Sequence, residues 1–427
     1  MKDLPTETPL FSYYGDDFTG STDALEALAT QGIPTALFLG IPGDEVLARF
    51  RSYRAIGLAG PSRSRSPQWM SEYLPGAFRW LQSQGAPICQ YKVCSTFDSS
   101  PEIGSIGRAL EIGQDVFRTP CVPVVVAAPH LGRYVAFSHL FAASSDGVHR
   151  IDRHPTMSRH PITPMTESDL RIHLSRQTSR PLFAIGLTML DAPETEERLK
   201  QIPCGAVIFD GIDPASMRQV GRLVWDLGAT FVIGSSGFTY ALVEHWRHDG
   251  LLPPAPVLPL AGQVDRVVAI SGSCSPVTER QIRTVLRNGF AGIRLDPSNE
   301  DRAPAVAQAL EHLQHGQSVV LYSALGTDGV NDGIDRERLA TNMGALLKDV
   351  LRRSGVKRSV VAGGDTASHA GRQLGVHALT FAAPMAPGAP LCRAHTDDRE
   401  LQGLELVFKG GQVGRDDFFE SALGGPS

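Results

Sequence analysis

Two adjacent carboxylates, Asp16 and Asp17, lie in Tyr14-Gly15-Asp16-Asp17-Phe18-Thr19-Gly20-Ser21-Thr22-Asp23, a glycine-bounded turn rich in hydroxyls. A carboxylate so placed can orient or deprotonate a hydroxyl. Capping a following helix is the plainer reading, but one acid suffices for a cap and its dipole, so the second points toward chemistry. Cations come from Gly60-Pro61-Ser62-Arg63-Ser64-Arg65-Ser66, where a guanidinium can grip a carboxylate through two parallel hydrogen bonds. Tyr91-Lys92-Val93-Cys94-Ser95-Thr96-Phe97-Asp98-Ser99-Ser100-Pro101 adds Lys92, the hydroxyls of Ser95 and Thr96, and another carboxylate at Asp98. Such a set suits a small polyhydroxy acid, with cations for its carboxylate and Asp, Ser and Thr for its hydroxyls. A solvated loop with incidental charge competes with that reading, most strongly for residues 64–66. Cys94 reads as a packing residue, with no base beside it in sequence.

His149, His154 and His160 match no zinc spacing, and the arginines between them oppose a cation. Contacts with anions are expected there rather than metal ligation, with His160 the one placed near substrate.

A second group of turns has a different character. Ser271-Gly272-Ser273-Cys274-Ser275-Pro276 follows an apolar run and opens a helix with proline at its first position, an arrangement whose free N–H groups accept phosphate. Gly363-Gly364-Asp365-Thr366 and Lys409-Gly410-Gly411 also follow apolar runs, and bare glycines let a ligand approach the backbone. Three such turns suggest one phosphate-bearing ligand, against the alternative that the glycines only make tight bends. Neither G-x-x-x-x-G-K-[ST] nor a helix-opening G-x-G-x-x-G occurs, so the usual nucleotide fingerprints are missing.

The elements that must hold these residues are legible as strands and helices in alternation. Leu10–Tyr14 reads as a strand and Asp23–Ala29 as an amphipathic helix, so the acidic turn falls beyond a strand's carboxyl end, where open α/β sheets bind ligands. Continuous apolar runs at 55–59, 122–128, 206–210 and 230–234, and again at 266–270, 317–322, 358–362 and 404–408, read as buried parallel strands. The fold class is therefore α/β: two α/β domains, each with a largely parallel sheet flanked by helices, joined by a proline-rich linker. Four prolines in Leu251-Leu252-Pro253-Pro254-Ala255-Pro256-Val257-Leu258-Pro259 place the junction at 251–262, between domains 1–250 and 263–427. Residues 138–164 fit neither helix nor strand and are expected to form a long loop or a peripheral excursion.

A chain of 427 residues is long enough for two cores, and a formal net charge of -5 gives no basic footprint for nucleic acid. Six scattered cysteines suggest neither a disulfide framework nor a zinc site, no apolar run reaches bilayer length, and a reducing cytoplasm is the expected compartment.

Taken in order, Gly15-Asp16-Asp17-Phe18-Thr19-Gly20, Ser62-Arg63-Ser64, Lys92 with Cys94-Ser95-Thr96-Phe97-Asp98-Ser99, His160-Pro161-Ile162-Thr163-Pro164-Met165-Thr166, Ser271-Gly272-Ser273-Cys274-Ser275, Gly363-Gly364-Asp365-Thr366 and Lys409-Gly410-Gly411 resemble the four-carbon acid sugar kinase family, over nearly the whole length. That family includes 3-oxo-tetronate, threonate and erythronate kinases. The resemblance implies an N-terminal sugar-acid domain, a C-terminal ATP domain, Mg²⁺ with the ATP, and a homodimer. It implies nucleotide contacts from Ser271, Gly363–Thr366 and Gly411; Gly272, Ser273, Ser275 and Gly410 join them from the turn chemistry. Asp17 or Asp16 would act on the acceptor hydroxyl, Arg63 and Lys92 would hold the substrate carboxylate, and Ser62, Ser95, Thr96, Asp98 and His160 would complete the acid site, with no metal ligands assigned. Two departures stand out: Ser100–Gly107 is one residue longer than the usual turn with Ser105 in place of Asn, and Gly410 stands where Ser is frequent. The first bears on which acid is used, and a branched 3-oxo acid such as 3-oxo-isoapionate is among the candidates. Readings from other classes are a non-catalytic sugar-acid sensor, for which no output module is found, and a nicotinamide-dependent dehydrogenase, which lacks its fingerprint.

Overall fold

A computed structural model of the chain describes residues 4–144, 146–160, 162–299, 301–326 and 335–424, the side chains of 336 and 365 excepted. Two compact units emerge, one of Met1–Thr35 with Arg51–Pro256, the other of Ala36–Phe50 with Val257–Ser427. Residues 253–262 carry neither helix nor strand, as their prolines require.

The first unit holds parallel strands in the order Ala55–Ala59, Phe11–Gly15, Cys89–Lys92, Phe231–Gly234, Cys121–Val125, Gly205–Phe209 and Leu182–Ile185. Phe11–Gly15, Ala55–Ala59 and Gly205–Phe209 are buried at every position, which is why their apolar character is continuous rather than alternating. Helix Phe18–Ala29 follows the first strand and buries Phe18, Ala24, Leu25, Ala27 and Leu28; Gly32, at a φ of 84°, turns the chain away beyond its end. From the first strand the chain places Ala55–Ala59 on one side and Cys89–Lys92 on the other. The strand order therefore reverses at Phe11–Gly15, the position that leaves a crevice beyond the carboxyl ends. Gly15 is level with Ala59 and with Lys92, and Lys92 with Gly234, so the segments following all these strands issue from one sheet edge at one height.

Residues 138–164 correct the expectation of a loop. Strands Arg133–Ala136, His139–Ser144 and Gly147–Arg150 form a small antiparallel sheet, followed by short 3₁₀ turns at Ile151–Arg153 and Met157–Arg159. The first hairpin escapes a reading by turn residues because its two left-handed positions are Phe137 and Ser138, at φ 50° and 65°, rather than the usual Asn-Gly. Buried Asp210 compensates by accepting the N–H of Phe137 at 2.6 Å and of Ser138 at 2.8 Å.

In the second unit a parallel block, Ala291–Arg294, Val319–Tyr322, Val268–Ser271, Arg358–Ala362 and Glu405–Lys409, continues through antiparallel Ala389–Thr396, Val376–Ala386 and Thr35–Phe38. The hairpin 376–396 carries Pro384 and Pro390 inside its strands, residues that argue against strand in a linear reading and sit here beside register irregularities. Its outer partner comes from far upstream: Ala36, Leu37 and Phe38 pair with Thr380, Leu379 and Ala378. Phe50 packs edge-on against Phe38 and His395. No division at a single linker anticipates that insertion.

Candidate functional site

The acidic turn and the basic loop meet in the first unit. Arg63 donates from Nε to Asp16 Oδ2 at 3.0 Å and from Nη2 to Asp16 Oδ1 at 2.7 Å, while Nη1 donates to Asp17 Oδ2 at 2.8 Å. One planar fork thus holds both carboxylates, a geometry that Lys cannot reproduce. Asp17 also caps helix Phe18–Ala29, its Oδ1 accepting the Gly20 N–H at 2.6 Å and its Oδ2 the Thr19 hydroxyl at 2.8 Å. The cap and the charge cluster are therefore the same residue. Asp16 lies deeper, its side chain 5% exposed against 15% for Asp17. Burial pushes the Asp16 carboxyl up to about 6; Arg63 opposes the rise and the neighbouring Asp17 charge adds to it.

Lys92 ends the adjacent strand and is fully buried, with Nζ 2.9 Å from Asp23 Oδ2 and donating to the Val93 carbonyl at 3.1 Å. Burial works against its charge, but Asp23 holds the ammonium above its ordinary pKa. Asp23, on the inward face of helix Phe18–Ala29, went unread in the sequence. The signal was its place six residues beyond Asp17, as one of the two acids carried by that short helix. Gly20 shows where the cations converge: a Cβ there would stand 2.6 Å from Asp17 Oδ1, 3.4 Å from Arg63 Nη2 and 3.5 Å from Lys92 Nζ.

The third strand-end segment is a buried polar turn. Thr96 Oγ1 donates to Asp98 Oδ1 at 2.5 Å and lies 2.9 Å from Cys94 Sγ; Phe97 between them takes a φ of 57°. Burial opposes the Asp98 charge, yet Arg63 and the Thr96 hydrogen bond hold the carboxyl below its usual range. Thr163 Oγ1 reaches Asp98 Oδ2 at 3.4 Å and His160 Nδ1 at 3.1 Å, which brings His160 to this cluster. Beneath the turn, the Ser99 hydroxyl meets His173 Nε2 and Gln177 Nε2, both at 2.9 Å. Ser95 is buried in the same turn, and Ser62 is buried with its hydroxyl on Tyr91 OH at 2.8 Å. The Cys94 thiol is raised by burial and by Asp98, which suits packing. His149 pairs with Asp146, and His154 Nδ1 accepts the N–H groups of Thr156 and Met157, so both are bound locally. Pro161 lies outside the described residues. The lengthened turn braces the arginine loop: Gly104 donates to the Arg65 carbonyl, a Cβ at Gly104 would stand 2.3 Å from the Arg63 carbonyl oxygen, and Ser105 caps helix Ile106–Phe117.

In the second unit the small-residue turns close on one another. Ser271 ends its strand buried, its Oγ accepting from Ser273 N at 3.3 Å; Ser273 Oγ accepts from Ser275 N, and Ser275 caps helix Pro276–Arg287. Gly363, at φ 110°, opens helix Gly364–Gln373, and a Cβ there would stand 3.3 Å from Ser273 N. A Cβ at Gly272 would meet Thr366 Oγ1 at 2.3 Å, and one at Gly411 would meet Ser273 Oγ at 2.8 Å. Ser271, Gly272, Ser273, Ser275, Gly363, Thr366 and Gly411 thus share one strand-end edge, with Gly364 and Gly410 adjoining in the chain. The Asp365 side chain lies outside the described residues. Lys409, unassigned in the sequence reading, is buried here, and burial lowers its ammonium to about 7. Among the described residues, no group of three or more His, Cys, Asp or Glu side chains gathers in a way that could hold a metal ion. Nor is any helix among them long and apolar enough to cross a membrane.

A family model described as a sugar-binding N-terminal domain matches residues 11–242, and one described as a nucleotide-binding C-terminal domain matches 268–419. The chain is 45% identical to a 3-oxo-isoapionate kinase of Paraburkholderia graminis, covering 96% of this chain and 93% of that protein. It is 31% identical to a 3-oxo-tetronate kinase of Cupriavidus necator, covering 97% and 96%. A crystal structure from Salmonella typhimurium LT2 superposes with a TM-score of 0.77 at 25% identity, over 96% of this chain and 98% of that one. A Haemophilus influenzae protein of family DUF1537 shares the fold at a TM-score of 0.69 and 24% identity, over the same shares of each chain.

Proposed function

The chain belongs to the four-carbon acid sugar kinase family, and on that premise we propose that it transfers the γ-phosphoryl group of ATP to a hydroxyl of a small sugar acid, with a branched 3-oxo acid of the 3-oxo-isoapionate type as first candidate. The observation that carries the reading is the convergence of Asp16, Asp17, Arg63 and Lys92 at the carboxyl ends of adjacent strands where the strand order reverses. The preference for a branched acid rests on 45% identity to a 3-oxo-isoapionate kinase against 31% to a 3-oxo-tetronate kinase. The lengthened turn beside Arg63 is consistent with it; 3-oxo-tetronate, threonate and erythronate are the alternatives to test.

Arg63 spends three of its five N–H groups on Asp16 and Asp17, and Lys92 spends two of three on Asp23 and Val93. The N–H groups left on each cation would receive the substrate carboxylate. Geometry ranks ahead of pKa in choosing a base. Asp17, the more exposed acid, keeps a lone-pair position on Oδ1 and would orient the acceptor hydroxyl and take its proton, while Asp16, more deeply buried, fixes Arg63. Thr96, Asp98 and His160 would contact the remaining hydroxyls. The turns at Ser271–Ser275, Gly363–Thr366 and Gly410–Gly411 would bind the nucleotide. Mg²⁺, when bound with the nucleotide, would supply charge neutralisation on the phosphates. Most of the catalytic work in phosphoryl transfer is positioning and charge stabilisation, which is what these residues can provide. We place the protein in the cytoplasm and as a homodimer, the latter checked by light scattering. ADP release measured across branched 3-oxo acids, 3-oxo-tetronates, threonate and erythronate tests the reading; tight binding of one acid with no ADP release from any would favour the sensor.

A further inference from the structure

Every other fully buried cation in the described structure has an acid against it. Lys92 has Asp23 at 2.9 Å and Arg358 has Glu405 at 2.6 Å. Lys409 has none within 4.0 Å among the described residues. Its Nζ donates to Thr278 Oγ1 at 2.9 Å and to the Gly410 carbonyl at 3.0 Å, lies 3.5 Å from the Gly411 carbonyl, and sits 5.6 Å from the centre of the Phe418 ring. Thr278 belongs to the first turn of helix Pro276–Arg287 and itself donates to the Gly411 carbonyl at 2.8 Å.

This placement is unfavourable twice over. A buried charge without a counter-charge is costly, and the positive end of a helix dipole repels a cation. Both penalties shrink if an anion arrives at the same place. The ammonium also orients the turn. Because a trans peptide points its C=O and N–H in opposite directions, drawing the Gly410 carbonyl toward Nζ turns the Gly411 N–H away from it. Gly411 is packed against Ser273 and Ser275, the turn whose N–H groups open the helix.

We propose that Lys409 is a positioning residue for the nucleotide's phosphates, supplying from beneath the glycine turn the positive charge that the phosphates compensate and holding the Gly410 carbonyl inward so that the turn presents N–H groups. The proposal deepens the nucleotide-site reading above and rests on it. Unlike a structural lysine, such a residue should matter in proportion to the number of phosphates on the ligand.

The test is calorimetric binding of adenosine, ADP and ATP to the full chain, with melting temperature measured in parallel. Lys409→Met should weaken ATP at least tenfold and ADP by less, leave adenosine within twofold, and leave the melting temperature of the ligand-free protein equal or higher, since a buried charge has been removed. Lys409→Arg should recover part of the ATP affinity. ATP affinity within twofold of wild type, or equal losses for adenosine and ATP, would overturn the proposal. If Lys409→Met fails to fold, Lys409→Gln decides by the same comparison, since it removes the charge while keeping an amide donor for the Thr278 hydroxyl and the Gly410 carbonyl. Gly363→Ala separates the two levels of inference: if it weakens ATP and Lys409→Met does not, the role of Lys409 fails alone; if neither does, the nucleotide site itself is misplaced.

Discussion

Asp17 does two jobs that a single substitution can separate. Asparagine retains an oxygen able to accept the Gly20 N–H, now 2.6 Å from Oδ1, and ranks with aspartate as a helix cap. Asp17→Asn therefore keeps the cap and loses the charge facing Arg63 Nη1 at 2.8 Å, a hydrogen bond to a charged group worth about 1.5–3 kcal/mol. Asp17→Ala loses the cap as well, about 1 kcal/mol more. Loss of a general base costs roughly 10²–10⁴ in rate, equivalent to about 3–5 kcal/mol of activation free energy at 1.36 kcal/mol per decade. The two variants should thus differ modestly in melting temperature, by about 2–4 °C for a unit of this size, while both lose turnover by at least 100-fold, roughly the lower bound for a missing base. Sugar-acid-dependent ADP release at saturating ATP and acid, with thermal denaturation alongside, measures both. If Asp17→Asn turned over within about threefold of wild type, well short of that bound, while Asp17→Ala failed, Asp17 would be a cap and nothing more, and the acceptor chemistry would belong elsewhere.

Burial raises Asp16 from its ordinary value to about 6, so this carboxyl favours the folded state fully below about pH 4 and that contribution is lost as pH rises through about 6. At 1.36 kcal/mol per pH unit the change is about 3 kcal/mol, and Asp16→Asn should flatten the pH dependence of the melting temperature between about 4 and 6; an unchanged slope would refute the assignment. Gly20→Ala should leave the fold standing, because alanine favours a helix by about 1 kcal/mol over glycine, yet its Cβ would displace Asp17 Oδ1 from 2.6 Å and press on Arg63 and Lys92; sugar-acid KM should rise with little change in melting temperature. Residues 257–427 expressed alone lack the strand that covers Val376–Ala386, along with buried Leu37, Phe38 and Phe50, each worth roughly 1.5–3 kcal/mol. That sum is comparable with the whole stability of a domain, about 5–15 kcal/mol, so the fragment should aggregate and fusing residues 36–50 to it should restore solubility; a soluble, cooperatively melting fragment would contradict this.

Much of the candidate site could be read from the chain because its residues cluster locally. Asp16 and Asp17 adjoin a strand end, Arg63 follows the next run of buried residues and Lys92 the one after, and continuous apolar segments mark parallel strands whatever their order. The antiparallel pieces were harder. Phe137-Ser138 makes its turn through Asp210, more than 70 residues away, and the 376–396 hairpin carries prolines that a linear reading takes as a stop. The same limit applies to Asp23 and Lys409, whose significance lies in what surrounds them: Asp23 matters because Lys92 lies buried beside it, Lys409 because no acid among the described residues does.

Local chemistry, then, was determined by the sequence itself: two acids on a glycine-bounded turn, small-residue turns after apolar strands, and a proline-rich break between two α/β regions. Only the tertiary structure decided that one guanidinium holds both acids, that Asp17 is cap and site residue at once, and that residues 36–50 complete the second unit's sheet. The reason is physical: apolar periodicity and turn propensity act over a few residues, whereas strand order, ion pairing and the burial of a charge depend on segments that meet only when the sheets assemble.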